Sequence, residues 1–216
     1  MQTNDTPGST PRRSNAQRNR RRILAAARQR LRDDPDVSLD SIARTAGVTR
    51  RTLYGHFSTR QALVAELTRE AGRALQQAFG ATPATDADPV EAMTRMVLTT
   101  WAVGDQYRML ISLGRRQLGG EAIRATLAPA REEAIATIRR GQHQGVFADH
   151  VPAPVLARAL EALMLALAEE NAAGGWADPT GEAAATAFLT AAGVTPQAAA
   201  LQVRGVVRRG PAAGVG

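Results

Sequence analysis

The sequence predicts an all-α protein, on three observations. Apolar residues recur at three- and four-residue intervals through most of the chain. Helix-starting and helix-stopping residues punctuate those stretches where they begin and end. No alternation of apolar and polar residues runs beyond four positions, and no segment repeats another. At 216 residues the chain has room for one large domain or two small ones, each with a proper core.

Residues 1–16 hold Pro, Ser, Thr, Gly and Asn with hardly an apolar side chain, and read as a disordered basic arm. A helix is expected to start near Asn15 or Asn19, with Ile23, Leu24, Ala27 and Leu31 on one face, and to stop at Asp33-Asp34-Pro35-Asp36. Ser38 suits the N-cap of a short helix over 39–45, whose Leu39, Ile42 and Ala43 face inward. Gly47 permits the sharp turn that follows. Thr49 caps a second short helix to about Gly55, anchored by Val48, Leu53 and Phe57. Ser58 or Thr59 then caps a longer helix carrying Leu63, Leu67, Ala71 and Leu75 to about Phe79, Ser58 and Gln61 having capping-box spacing.

Residues 80–88 are a linker by composition. Beyond it Asp88 caps, Pro89 takes the first helical position, and Glu91 stands at capping-box spacing. Val90, Met93, Met96, Val97 and Trp101 follow. A helix or two is expected around 107–118, one long helix over 121–144, and another over 153–173 ended by Gly174-Gly175. Asp178-Pro179 opens the next, which finishes at Gly193, and a weak helix follows Pro196. The expected organisation is an arm over 1–16, a head over 17–79, a linker over 80–88, a second domain over 89–193 and a tail over 194–216.

The formal net charge is +7, and its placement matters more than its size. Residues 1–60 carry thirteen arginines against five aspartates; the remaining fourteen arginines face fifteen acids. A basic head on a near-neutral body suits a partner with a phosphate backbone. An anionic membrane surface fits less well, because the head lacks an amphipathic helix with aromatic anchors. All 27 basic residues are arginine, a bias that GC-rich coding explains and that carries no mechanism. There are no cysteines, which removes disulfides, thiolate zinc sites and cysteine nucleophiles. No apolar run reaches the roughly 18 residues of a membrane span, and the polar start lacks a signal-peptide core. A cytoplasmic location without membrane contact is expected.

The informative stretch is 38–61, SLDSIARTAGVTRRTLYGHFSTRQ. Two short helices joined by a glycine turn need the preceding helix to complete a core, which leaves the outer face of the second helix free. Such a helix fits the major groove, where base edges are distinguishable. With Val48, Leu53 and Phe57 turned inward, Thr49, Arg50, Arg51, Thr52, Tyr54 and His56 remain for solvent or DNA.

This stretch resembles the TetR family of bacterial one-component regulators. The resemblance is carried by Ile42-Ala43, Ala46-Gly47-Val48-Thr49, Thr52-Leu53-Tyr54, His56-Phe57 and Ala62-Leu63, in the family's order and spacing. It covers about residues 20–66; beyond them only the helical outline agrees. Leu31 stands where the family often has phenylalanine, Asp33 to Asp36 replace a glycine-containing turn, and Arg60 replaces a common lysine. The resemblance implies that Arg50, Arg51 and Thr52 face base edges or adjoining phosphates. It implies that Tyr54 and His56 bond phosphates and that Arg60 clamps one from the next helix, with Ser38 and Thr49 completing the DNA-binding set. Phosphate contacts position such a helix and base contacts specify. Arg12, Arg13 and Arg18 belong to an arm able to reach a minor groove.

The resemblance also implies that residues 89–193 bind an effector and dimerise. Leu156, Leu160, Leu163 and Leu167, with Ala159, Ala162 and Ala166 beside them, make the 153–173 helix apolar around most of its circumference. With Ala183, Ala184, Ala187 and Phe188 it is expected to form a four-helix bundle with a symmetry mate. A two-fold dimer would carry two reading heads to a palindromic operator. An effector pocket is expected among Met93, Met96, Trp101, Tyr107, Met109, Leu110 and Phe147, adaptable side chains suited to an apolar or aromatic ligand. Ordinary core packing is the alternative for each of these, as for the leucines.

Catalysis is a weak rival: the only histidines are His56, His143 and His150, and a site from His143, Asp149 and His150 would be interrupted by Gly145 and a loop. No cofactor, metal or catalytic residue is expected. An architectural DNA-binding protein without effector, and an activator in place of a repressor, remain alternatives that no residue decides.

Overall fold

The computed structural model describes residues 10–80, 88–107, 113 and 118–210, without side chains for 10–13, 79 and 80. The described residues are helical or in turns and bends, with no strand among them. Two compact units divide the chain, 1–67 and 68–216.

In the first unit, α1 (Thr10–Asp33), α2 (Leu39–Thr45) and α3 (Arg50–His56) pack on one another. The fourth helix, α4 (Arg60–Gly80), contains the division between the units, at 67/68. Ile23, Ala27 and Leu31 of α1, Ile42 of α2, Leu53 of α3 and Leu63, Val64 and Leu67 of α4 are all buried. The helices begin as the cap residues dictate. Ser38 Oγ accepts from Ser41 N at 3.2 Å, Thr49 Oγ1 from Thr52 N at 3.1 Å, and Thr59 Oγ1 from Ala62 N at 3.0 Å. Of the two caps weighed for α4, Thr59 is therefore the one in use.

The expected arm is corrected in part. Helix α1 already runs from Thr10, so 10–16 belong to it, while 1–9 lie outside the described residues. Pro11 is tolerated in a first helical turn, and the arginines that follow favour helix intrinsically. Residues 14–18 are exposed on every side.

The second unit holds α5 (Pro89–Gln106), α6 (Gly120–Thr126), α7 (Ala128–His143), α8 (Ala153–Ala173), α9 (Glu182–Ala191) and α10 (Pro196–Arg209). Helix α5 packs on α7, α8, α9 and α10, and α8 also on α7 and α9. Their shared core includes Met93, Trp101, Ile138, Phe147, Leu156, Leu160, Phe188, Leu189 and Val203.

Three sequence expectations need correction here. The single helix over 121–144 is two, parted at Leu127: Pro129, in the first turn of the second helix, has no N–H to carry the hydrogen-bond ladder across the break. Residues 194–216 are not simply a tail: α10 buries Ala199, Val203 and Val206 in the second unit. Glu91 does not complete a capping box. Its carboxylate bonds Arg95 at 2.8 Å and Arg209 at 3.1 Å, and Arg95 first, then Arg209, hold its pKa below the ordinary 4.5 against the opposing effect of burial. The helices expected over 107–118 fall mostly outside the described residues, as does the linker but for its ends. Among the described residues, no helix is long and apolar enough to cross a membrane.

Candidate nucleic-acid interface and ligand cavity

The turn between α2 and α3 is built from the backbone outward. Gly47 has φ of +61°, a conformation that β-carbons disfavour, and Arg22 of α1 donates to its carbonyl at 3.1 Å. A β-carbon at Gly47 would stand 2.4 Å from that guanidinium. Val48 N donates to Ala43 O at 3.0 Å and closes the turn. Burial of Leu53 and Phe57 fixes which face of α3 points away from the core.

On the open side, Arg51 is exposed and Tyr54 is 38% exposed, although it is a large ring. Arg50 bonds Asp40 of α2 at 3.0 Å and lies 5.4 Å above the Tyr54 ring. Both partners are well exposed, so this pair is weak enough to open for a phosphate. Thr49 and Thr52 hydroxyls lie 2.8 Å apart, which puts Thr52 in the cap as well as at the helix start. His56 is half-buried at the C-terminal end, its ring 6.5 Å from that of Phe57.

Besides Thr49 and Thr52 in the cap of α3, two more of the expected DNA residues have a demonstrable structural task. Ser38 is the N-cap of α2. The Arg60 guanidinium donates to the carbonyls of Pro35 and Val37, tying α4 to the turn after α1. Arg60 supplies a donor to one exposed and one part-buried carbonyl of that turn. In the free chain the Arg60 side chain is held on these two carbonyls. Other arginines of the basic head are structural too. Arg20 bonds the buried Glu66 at 2.9 Å and lies 5.4 Å over the Phe57 ring. Arg18 is exposed, and the side chains of Arg12 and Arg13 lie outside the described residues.

The second unit contains a cavity of about 160 Å³. Met96, Trp101 and Tyr107 of the expected set line it. Met93 and Phe147 do not: Met93 is fully buried in the core, and Phe147 packs so tightly on Gly141 that a β-carbon there would fall 2.1 Å from its ring. Met109 and Leu110 lie outside the described residues. Leu75, Val97, Ile123, Leu127, Met164 and Phe188, none of them in the expected ligand set, complete much of the apolar wall. They come from different helices, which sequence spacing does not bring together; no local signal marks them.

The polar groups of the wall are largely satisfied within it. Arg131 donates to both carboxylate oxygens of Glu161, at 3.1 and 2.9 Å, and to Arg124 O at 2.9 Å. Thr100 donates to Met96 O at 2.8 Å. The indole of Trp101 turns its N–H away to Asp178 O at 2.8 Å and leaves its rings to the cavity. Asp178 in turn accepts from Gly181 N and Ala184 N and starts α9.

The leucines expected at a dimer interface separate into two groups. Leu156, Leu160 and Phe188 are buried in the core of their own chain, Phe188 also at the cavity, so they have no surface to offer. Leu163 and Leu167 are half-buried against that core. The exposed stripe of α8 is instead Val155, Ala159, Ala162 and Ala166, and that of α9 is Ala183, Ala187 and Ala191. Among the described residues, no group of histidines and carboxylates is placed to hold a metal ion.

Residues 23–67 match the family of bacterial regulatory proteins, tetR family. The fold is similar to that of the TetR-like regulator LfrR from Mycobacterium smegmatis, solved in complex with proflavine. The two are 25% identical over 81% of this chain and 93% of that one, with a TM-score of 0.62. The TetR-family regulator PfmR from Thermus thermophilus is 24% identical over 82% and 96%, also at 0.62. NalD, the secondary repressor of the MexAB-OprM multidrug efflux pump in Pseudomonas aeruginosa, is 21% identical over 82% and 94%, at 0.59. Among curated proteins none matches the sequence.

Proposed function

We propose that this chain, a TetR-type transcriptional regulator by its DNA-binding head and its fold, is a ligand-responsive repressor that binds a palindromic operator as a homodimer. The observation that carries the reading is the open side of α3. Arg51 and Tyr54 are displayed on a short helix whose other side is locked by Leu53, Phe57 and the Gly47 turn. A helix so held enters the major groove as a rigid element, Arg51 bonding a guanine edge or phosphate and Tyr54 positioning the backbone. Arg50 exchanges Asp40 for a phosphate. Arg60 keeps its place on the carbonyls of Pro35 and Val37.

Dimerisation uses the exposed alanine stripes of α8 and α9, where small side chains let helices approach closely. This gives two heads on a two-fold axis, as a palindrome requires. The effector is small and apolar or aromatic. A cavity of about 160 Å³ is close to the roughly 150 Å³ that accepts benzene in an engineered core, its wall is mostly apolar, and two of its charged residues, Arg131 and Glu161, neutralise each other. LfrR, similar in fold, takes proflavine. The chain acts in the cytoplasm and has no catalytic task.

Selection of bound sequences from random duplex DNA, followed by a footprint at stated salt, tests this. A protected palindrome, lost on adding an aromatic effector, is the expected result. Uniform coating of DNA without enrichment would replace the regulator by an architectural protein.

A further inference from the structure

We propose that the cavity of the second unit reads a hydrogen-bond donor on its ligand: a neutral, single-ring aromatic whose hydroxyl donates to the Glu161 carboxylate. The inference rests on the effector reading of the cavity and adds the polar group that the effector carries. Among the described residues, three charged side chains line the cavity, Asp105, Arg131 and Glu161. Asp105 is exposed, so its charge stays in water. Arg131 and Glu161 are 14% and 15% exposed and stand in a mostly apolar wall.

The way these two pair leaves acceptor capacity on Glu161. Two carboxylate oxygens offer about four lone-pair positions. Arg131 reaches both oxygens with one nitrogen, Nη1, at 3.1 and 2.9 Å, and spends Nη2 on Arg124 O at 2.9 Å. It does not close the two-nitrogen fork that would occupy the carboxylate edge to edge. Other donors of the wall are committed within the chain. The hydroxyls of Thr100 and Thr126 donate to Met96 O and Ala122 O, and the Trp101 N–H to Asp178 O, each at 2.8 Å. A ligand oxygen that only accepts therefore finds little to hold it, whereas a ligand donor meets an ionised acceptor. Hydrogen bonds to an ionised acceptor are roughly twice as strong as neutral ones.

Charge selects among donors. Arg131 and Glu161 cancel, and a further ion taken out of water is costly unless it is paired. An ammonium would add an unmatched positive charge beside Arg131, and a carboxylate a negative one beside Glu161. A hydroxyl brings the donor without the charge. A cavity of about 160 Å³, with Trp101 and Tyr107 in its wall, has the size and the apolar surface for one ring.

The test titrates the full chain in a calorimeter, at neutral pH, with four single-ring probes: phenol, toluene, benzylamine as its cation, and benzoate. Wild type should bind phenol about tenfold more tightly than toluene, and the two ions more weakly than toluene. In Glu161→Leu the Arg131 charge is left uncovered, so benzoate should become the tightest of the four. The double variant Arg131→Leu/Glu161→Leu replaces the whole pair by apolar side chains, a change that folds commonly tolerate at a buried ion pair. It should melt near the wild-type temperature, bind toluene, and lose the preference for phenol; it also decides the matter if Glu161→Leu does not fold. Equal affinity for phenol and toluene in wild type would overturn the proposal. So would a preference for phenol that survives in the double variant, or a wild-type preference for either ion. Binding of none of the four by wild type would instead remove the effector reading of the cavity, and this proposal with it.

Discussion

Trp101→Phe should destabilise the second unit, and the cost can be worked from the surroundings of the indole. The indole is 4% exposed, and its N–H donates to Asp178 O at 2.8 Å, within a segment where Asp178 is 5% exposed. Phenylalanine leaves that carbonyl without its donor, a loss of about 1–3 kcal/mol. The smaller ring also leaves unfilled part of the buried space that the indole occupies; this adds about 1–2 kcal/mol. The edge-on contact with Trp176, centroids 5.9 Å apart, is the smallest contribution, since phenylalanine keeps part of it. The total is about 2–5 kcal/mol. A change of that size lowers the melting temperature by roughly 4–20 °C in a protein of this length. Trp101 and Trp176 are the only tryptophans, so the fluorescence of Trp176 in the variant reports the second unit alone. Gly181→Ala meets the same ring, so the double variant should fall short of the sum of the single losses. A midpoint within about 2 °C of wild type would refute the role given to the Trp101–Asp178 bond.

Other consequences are independent of that bond. Ala162→Arg, on the exposed stripe of α8, should yield a folded monomer in sedimentation, and an unchanged dimer would move the interface elsewhere. Ser38→Ala should lower stability by about 1 kcal/mol and Ser38→Gly by only a few tenths, the signature of an N-cap; equal losses in denaturant titrations would deny it. Glu91 has a pKa below 4.5 in the folded chain, so its pairing stabilises at neutral pH, and that contribution is lost as pH falls through the lowered value. Glu91→Gln should therefore cost about 0.5–1 kcal/mol at pH 7 and next to nothing at pH 3; a constant difference would contradict the pairing.

The head is legible in the sequence because its signals are local. Ser38, Thr49 and Gly47 act within three or four residues of themselves, and the structure uses each as expected. Asp88 likewise accepts from Val90 N at 3.4 Å. What the sequence hides depends on contacts distant along the chain. Nothing near Arg60 shows that its guanidinium meets carbonyls 23 and 25 residues earlier, and nothing near Glu91 shows Arg209. The periodicity of 153–173 identifies a helix apolar on most sides, but not which side its own chain covers. Leu156 and Leu160, expected at an interface, lie inward and leave smaller residues on the surface. The cavity is half visible for the same reason: Met96, Trp101 and Tyr107 share one stretch, whereas Leu75, Ile123, Met164 and Phe188 converge only once the helices are packed.

The central claim is that α3 reads sequence, and Arg51 tests it most directly. Its side chain is exposed on the open side of α3, so Arg51→Ala removes a contact without touching the core. Binding of wild type and variant to the enriched duplex and to its scrambled counterpart, at one fixed salt concentration, separates reading from attraction. The account predicts a loss of about 1–3 kcal/mol on the enriched duplex, with a smaller loss on the scrambled one and unchanged melting. Equal affinity for the enriched duplex, or the same loss on both, would contradict it.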